Sequence, residues 1–232
     1  MLFPFAQPTL KKSNWCNPLL PVICGLLALS ACTNRHDIPK DQVRPTLTEY
    51  GQKHQERRLK IHTGKGDLFV KLYDETPLHT ANFLRLVKGG YYDDRGFYRI
   101  VKGVAVQGGG KTSDQLGYTI PAEFRPNLLH KKGALAMARY SGERNPAKES
   151  SPTEFFIITK GRFYDADELT KYPEALRSVY LQQGGEMLYD GEYTVFGEVT
   201  EGFDVLDALA QQPLEEGEIP LNTVKFSIEV VE

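Results

Sequence analysis

From Arg58 onward the chain is a succession of short β-prone runs broken by glycine and turn residues, and only two stretches of it carry a clear helical period. Residues 58–63 and 67–73 are separated by Gly64-Lys65-Gly66, a hairpin signal. Further runs lie at 97–101, 104–107, 133–139, 155–159 and 194–199, and Phe226, Ile228 and Val230 alternate with polar residues in a last one. Thr76-Pro77 supplies an N-cap and a first-turn proline. Ala81, Phe83, Leu84, Leu86 and Val87 follow at helical spacing, and Gly89-Gly90 ends the run. Residues 201–210 read as a second helix. Many strands with two helices to cover them predict a mainly β fold, a closed or nearly closed antiparallel barrel capped by two α-helices.

The cysteines limit the chemistry this body can carry. All three (Cys16, Cys24 and Cys32) fall in the first 32 residues, so no disulfide framework, thiolate metal site or cysteine nucleophile is available beyond them. A net charge of −2 argues against a nucleic-acid binder. An aromatic content of 11% argues against wholesale disorder. His36, His54, His62, His79 and His130 are scattered without ligand spacing, so no metal is expected. Gly108-Gly109-Gly110 lacks the Gly-Lys-Ser/Thr ending of a phosphate loop. No cofactor is expected.

The N-terminus reads as an address. Lys11 and Lys12 form a positive region, the apolar run 19–31 follows, and small residues precede Cys32. That run is too short to span a hydrocarbon core of about 30 Å. Leu29-Ser30-Ala31-Cys32 resembles a bacterial lipoprotein signal, which implies that residues 1–31 are removed and that Cys32 is lipidated. The expected location is the cell envelope, at the outer membrane facing the periplasm. Thr33, rather than aspartate, after Cys32 agrees with that sorting. Residues 33–57 are polar, carry two prolines and show no sustained apolar period, so residues 32–57 are expected to be a flexible tether to a domain at 58–232.

Four segments in that domain carry a family resemblance. The stretch Phe97-Tyr98-Arg99-Ile100-Val101-Lys102-Gly103-Val104-Ala105-Val106-Gln107-Gly108-Gly109 resembles the core signature of the cyclophilins. Gly133-Ala134-Leu135-Ala136-Met137-Ala138-Arg139, Thr153-Glu154-Phe155-Phe156-Ile157 and Tyr193-Thr194-Val195-Phe196-Gly197-Glu198-Val199 resemble three further cyclophilin strands, in the family's order. The resemblance implies a cyclophilin-like barrel with peptidyl-prolyl cis–trans isomerase activity on proline-containing polypeptides, here exported ones. It implies catalytic roles for Arg99 and Gln107. It implies a substrate site drawn from Phe97, Val104, Ala105, Met137, Ala138, Arg139, Phe156, Leu188, Tyr189 and Tyr193. Phe156 is the expected floor of the proline pocket, because alternation sends Phe155 and Phe156 to opposite faces. Phe97 and Met137 can equally be core residues. The Ala138-Arg139 backbone is expected to pair with an extended substrate. A monomer is expected.

Several positions depart from the family pattern. Val104 and Ala105 stand where phenylalanine and methionine are usual, Glu154 and Arg139 where glutamine and asparagine are, and Tyr193 where histidine is. Leu188 and Tyr189 occupy the place of a tryptophan and a leucine. An insertion at about 162–186, with Pro173 near its middle, reads as two short helices flanking the cleft, and residues 141–152 read as a mobile loop. The altered pocket leaves a second function open: a non-catalytic proline-binding chaperone using the same cleft.

Overall fold

A computed structural model describes residues 35–110, 116–140, 142–160 and 162–231. Residues 1–34, which include the segment read as a signal and Cys32, lie outside the described residues. Eight strands form a closed barrel: β1 (Arg58–Thr63), β2 (Gly66–Leu72), β3 (Arg95–Val101), β4 (Ala105–Gly109), β5 (Ala134–Met137), β6 (Phe155–Ile158), β7 (Thr194–Glu201) and β8 (Val224–Val230). Their order around it is β1-β2-β7-β5-β6-β4-β3-β8, and each neighbouring pair is antiparallel. Closure removes the exposed sheet edges that an open sheet of such strands would present.

Alternation along the strands sorts side chains into two apolar layers. Leu59, Ile61, Leu68, Val70, Leu135, Met137, Phe155, Ile157, Phe226 and Ile228 fill the interior. Ala105, Ala134, Ala136, Ala138, Phe156, Ile158 and Val195 form a second cluster from the alternate positions of β4, β5, β6 and β7. The interior is strongly aromatic. Phe83 meets Phe155 edge-on at 5.3 Å, and Phe97 meets Phe226 at 4.9 Å.

Two helices contribute to that interior, α2 (Pro77–Lys88) through Phe83 and Leu84 and α4 (Phe203–Ala210) through Leu206 and Leu209. On α2 the polar residues His79, Thr80 and Asn82 are buried as well, and each finds partners. His79 Nδ1 lies 2.7 Å from Glu123, and its Nε2 lies 2.9 Å from Ser150 Oγ. Asn82 donates to Pro152 O at 2.7 Å and accepts from the Tyr118 hydroxyl at 2.6 Å. Buried polar groups persist where such bonds replace the lost water.

Of the residues expected to form a tether, 35–53 are folded. Residues 43–53 form the helix α1 (Val43–Lys53), which packs along α2. Ile38, Val43 and Leu47 enter the main core, and Tyr50 packs against it. Gly51 faces Ala81 so closely that an added Cβ would come within 3.3 Å of the alanine methyl. Pro45 sits in the first turn, where its missing N–H costs no helical bond. Further out, Arg35 donates to Gly89 O at 3.0 Å and Arg85 to His36 O at 2.7 Å, which pins the segment to the end of α2. Val43, Leu47 and Tyr50 stand at i, i+4 and i+7. The apolar stripe is genuine but only three residues long, which is why composition hides it.

The insertion folds as expected, as a short 3₁₀ turn (Ala166–Leu169) and the helix α3 (Glu174–Gln183), with Pro173 ending the link between them. It has a small core of its own: Leu129, Tyr164, Leu169 and Tyr180, flanked by Tyr172, Leu176, Val179 and Met187. Arg162 and Gly185 exchange backbone bonds at 2.7 and 3.1 Å and close its base, and Glu186 N bonds His130 O at 2.8 Å. Gly185 has φ +146°, and a Cβ there would lie 2.3 Å from His130 O, so the closure requires glycine.

Candidate active site

The site is a single row of residues across five strands. Arg99 on β3 pairs directly with Gln107 on β4, Gln107 with Phe156 on β6, Phe156 with Ala136 on β5, and Ala136 with Val195 on β7. A register shift between Phe97 and Arg99 makes this alignment possible. The extra residue of the bulge re-aims the following side chain, so Phe97 is buried inside while Arg99 is exposed outside.

The row opens into a cleft of about 130 Å³ lined by Arg99, Val101, Ala105, Gln107, Ala138, Arg139, Phe156, Tyr189 and Tyr193. Eight of the residues drawn from the sequence therefore meet in one place. Phe156 is only 6% exposed and forms an apolar wall. Tyr193 stands edge-on to it at 5.3 Å, Tyr189 edge-on at 5.8 Å, and the two tyrosines meet at 4.9 Å. His130 stacks parallel to Phe156 at 6.2 Å. Alanine at 105, 136 and 138 leaves the surface over the strands low, which makes room for a ring against Phe156.

Arg99 is held by hydrogen bonds rather than by packing. Its Nη1 donates to Gln107 Oε1 at 3.1 Å, and its Nε donates to Glu218 Oε2 at 2.8 Å, with Nη2 2.6 Å from the same oxygen. Gln107 Nε2 in turn donates to the Tyr98 hydroxyl at 2.8 Å. That hydroxyl faces the Glu154 carboxylate. Burial, then the neighbouring Glu154 charge, raises the Tyr98 pKa, so the hydroxyl keeps its proton. Burial likewise raises the Glu154 pKa, opposed by the Tyr98 hydroxyl. Gln107 thus has its amide nitrogen and its amide oxygen both committed, which fixes which way the amide faces.

Four of the proposed residues lie elsewhere. Phe97 and Met137 are fully buried in the main core, as the inward members of their strands. Val104 is half-buried in the turn between β3 and β4, where it packs on the cluster around Phe156 without lining the cleft. Leu188 is 69% exposed on the outer side of a 3₁₀ turn, whereas its neighbour Tyr189 faces the cleft. The Ala138 backbone, expected together with that of Arg139 to pair with substrate, is already bonded within the fold. Its N–H donates to Glu154 O and its C=O accepts from Ser151 N, both at 2.8 Å. The Arg139 side chain is tied into the wall of the cleft. It bonds Glu192 O and Glu192 Oε2 at 2.6 Å each, and its guanidinium lies over the Tyr193 ring at 5.1 Å.

Sequence reading missed Tyr98, Val101, Glu218 and His130 at this site. Tyr98 and Val101 lie inside the signature stretch, so proximity was the available signal. Glu218 arrives from 119 residues away, on a loop where Gly217 and Glu218 both have positive φ, and no local pattern marks it.

The family model described as cyclophilin type peptidyl-prolyl cis-trans isomerase/CLD matches residues 58–230. A Staphylococcus saprophyticus protein named as a peptidyl-prolyl cis-trans isomerase is 32% identical over 189 residues, covering 76% of this chain and 93% of its own. A Streptococcus pyogenes protein named as a bifunctional phosphatase/peptidyl-prolyl cis-trans isomerase is 32% identical over 171 residues, 68% of this chain and 35% of its own. Among solved structures, a Cryptosporidium parvum cyclophilin type peptidyl-prolyl cis-trans isomerase superposes with a TM-score of 0.59 at 25% identity, over 76% of this chain and 98% of that one.

Proposed function

Since this chain belongs to the cyclophilin-type peptidyl-prolyl cis–trans isomerases, we propose that it turns X–Pro bonds in the cleft between Arg99 and Phe156. The observation that carries the reading is the single row Arg99–Gln107–Phe156, which sets a fixed cation and an aromatic wall on either side of one small cleft.

Rotation about an amide faces a barrier of about 18–20 kcal/mol, although cis and trans X–Pro differ by only about 0.5–1 kcal/mol. No bond need break. The enzyme must favour the twisted amide over both planar forms. Twisting localises a lone pair on the prolyl nitrogen. The Arg99 guanidinium, charged at any physiological pH, donates a hydrogen bond that strengthens as that lone pair forms. Gln107 holds the guanidinium in place, and Phe156 with Ala105 and Tyr193 seats the proline ring. The half of the peptide on the other side of the bond is then free to swing.

The purified protein should accelerate isomerisation of a short X–Pro peptide, and Arg99→Ala should remove nearly all of that acceleration. Background turnover from the folded wild type would instead favour proline binding without catalysis.

The N-terminal segment supports a cellular setting. The lysine pair, the short apolar run and the motif ending at Cys32 favour export, lipidation of Cys32, and action on exported polypeptides at the periplasmic face of the outer membrane. Two acyl-type anchors hold a protein stably where one is marginal, at about 0.8 kcal/mol per buried CH₂. Incorporation of labelled fatty acid in the wild type and its loss in Cys32→Ala would test this. Equal labelling of both would overturn it.

A further inference from the structure

A second groove adjoins the proline cleft and is made by the insertion. It has a volume of about 350 Å³. The barrel side contributes Phe124, Leu128 and Val195, and the insertion contributes Tyr172, Pro173 and Leu176. Tyr193 lines both this groove and the proline cleft, so one aromatic ring is the partition between them.

The groove is built to keep its shape. Beneath it Asp190 collects four hydrogen bonds: from His130 N at 3.1 Å, His130 Nδ1 at 2.7 Å, Tyr172 OH at 2.7 Å and Tyr180 OH at 2.6 Å. Two of these donors belong to the insertion, and His130 stacks on Phe156, the wall of the proline cleft. The same carboxylate therefore fixes the insertion and the pocket floor relative to each other. On the rim, the side chains of Arg125 and Lys171 are exposed.

We propose that this groove extends the substrate cleft and receives an apolar side chain of the same polypeptide whose proline sits against Phe156. The inference deepens the isomerase reading and rests on it. Continuity through Tyr193 argues for the substrate itself as occupant, because a chain leaving the proline cleft past that ring enters the groove directly. An extended chain advances about 3.3 Å per residue, so crossing one ring takes roughly two residues. The cationic rim favours carboxylates beside the apolar residue over lysine or arginine. The insertion then acts as a specificity element, with Leu176 as the contact most easily removed.

The experiment measures kcat/KM on a set of nonapeptides with a central Ala-Pro, in which a single leucine is walked through an otherwise alanine and glycine background. The result is read as the ratio of each leucine peptide to its alanine parent. Wild type should show a ratio of about ten at one position, roughly two residues from the proline, as expected for partial burial of a leucine. Leu176→Arg should bring the ratio at that position to about one. Leu176→Ala is measured beside it, because a half-buried alanine keeps the fold if arginine does not, and it should lower the ratio severalfold. A wild-type ratio of one at every position, or a preference unchanged in both variants, overturns the proposal. A ratio of one combined with concentration-dependent dimerisation assigns the groove to a second copy and also overturns it. Absence of turnover on every peptide would fail the isomerase reading itself, which is a distinct outcome.

Discussion

The two walls of the cleft are fixed in opposite ways. On one side Arg99 stands half-exposed and is positioned by side-chain hydrogen bonds, to Gln107 and Glu218, with Tyr98 and Glu154 behind Gln107. On the other side Phe156 and Tyr193 are positioned by packing, with a buried carboxylate and the insertion behind them. The polar wall must keep a cation reachable by substrate, so it cannot be buried, and little of the protein's stability depends on it. The aromatic wall removes apolar surface from water and is part of the fold. Changes on the first wall should therefore appear in turnover, and changes on the second in stability and substrate affinity.

The largest effect expected is from Arg99→Ala. Loss of a donor aimed at charge developing in the transition state costs about 100- to 1,000-fold. Its kcat/KM should fall by that much while the melting temperature stays within a few degrees. Unfolding of this variant would break the contrast between the walls.

Phe156→Ala comes next. Removing a buried phenylalanine costs about 3–5 kcal/mol. The low end applies here, because one face of the ring borders an open cleft. Urea titration should show a loss of about 3 kcal/mol, with a raised KM. A variant as stable as wild type would show that Phe156 belongs to the site and not to the fold.

Asp190 tests what lies behind the aromatic wall. Burial disfavours its charge, but the hydrogen bonds from His130, Tyr180 and Tyr172 outweigh this and hold its pKa below the ordinary 3.8. A depressed carboxylate contributes stability that is present above the unfolded pKa and is lost as pH falls through the lower folded value. The protection of residues 162–186 against hydrogen exchange, taken relative to the intrinsic rate at each pH, should therefore fall as the pH drops below about 3.8. Asp190→Asn should show fast exchange there already at neutral pH, without the acid step. An acid step that persists in the variant would move the effect to another group.

The smallest effect expected is from Glu218→Gln. The pair with Arg99 is about half exposed on both sides, at 47% and 40%, so it is worth at most about 1 kcal/mol. Its carboxylate offsets part of the charge that Arg99 directs at substrate. The variant should raise kcat/KM about two- to threefold at low salt, with the gain shrinking as salt rises. A fall in kcat instead would make Glu218 a second positioning residue beside Gln107.

Much of this molecule was legible in its sequence. The strands and the two main helices follow from alternation and from spacing of three and four, which report local geometry directly. The resemblance carried by the signature stretches grouped Arg99, Gln107, Phe156 and Tyr193 as site residues, and strand pairing in the structure brings the first three into one row. α1 was hidden because only Val43, Leu47 and Tyr50 mark its buried side, and a proline in the first turn reads as a break. Phe97 and Met137 were ambiguous because a hydrophobic residue beside a cleft and one in the core obey the same pattern. The bulge at Tyr98, which only pairing reveals, decides between them for Phe97. Leu188 and Tyr189 are adjacent in a 3₁₀ turn, and sequence carries nothing to say which of them turns inward.

By itself the sequence determined the order of the elements, the alternation that makes a two-layered barrel, and the residue types the reaction needs. All of these depend on neighbours within a few positions. Tertiary structure alone decided that Glu218 meets Arg99, that Asp190 ties His130 to Tyr172 and Tyr180, and that the insertion turns Tyr193 into a wall shared by two cavities. Each of these is a contact between segments distant along the chain. Their approach is set by barrel closure and loop packing, and those depend on the whole set of pairings rather than on any one stretch.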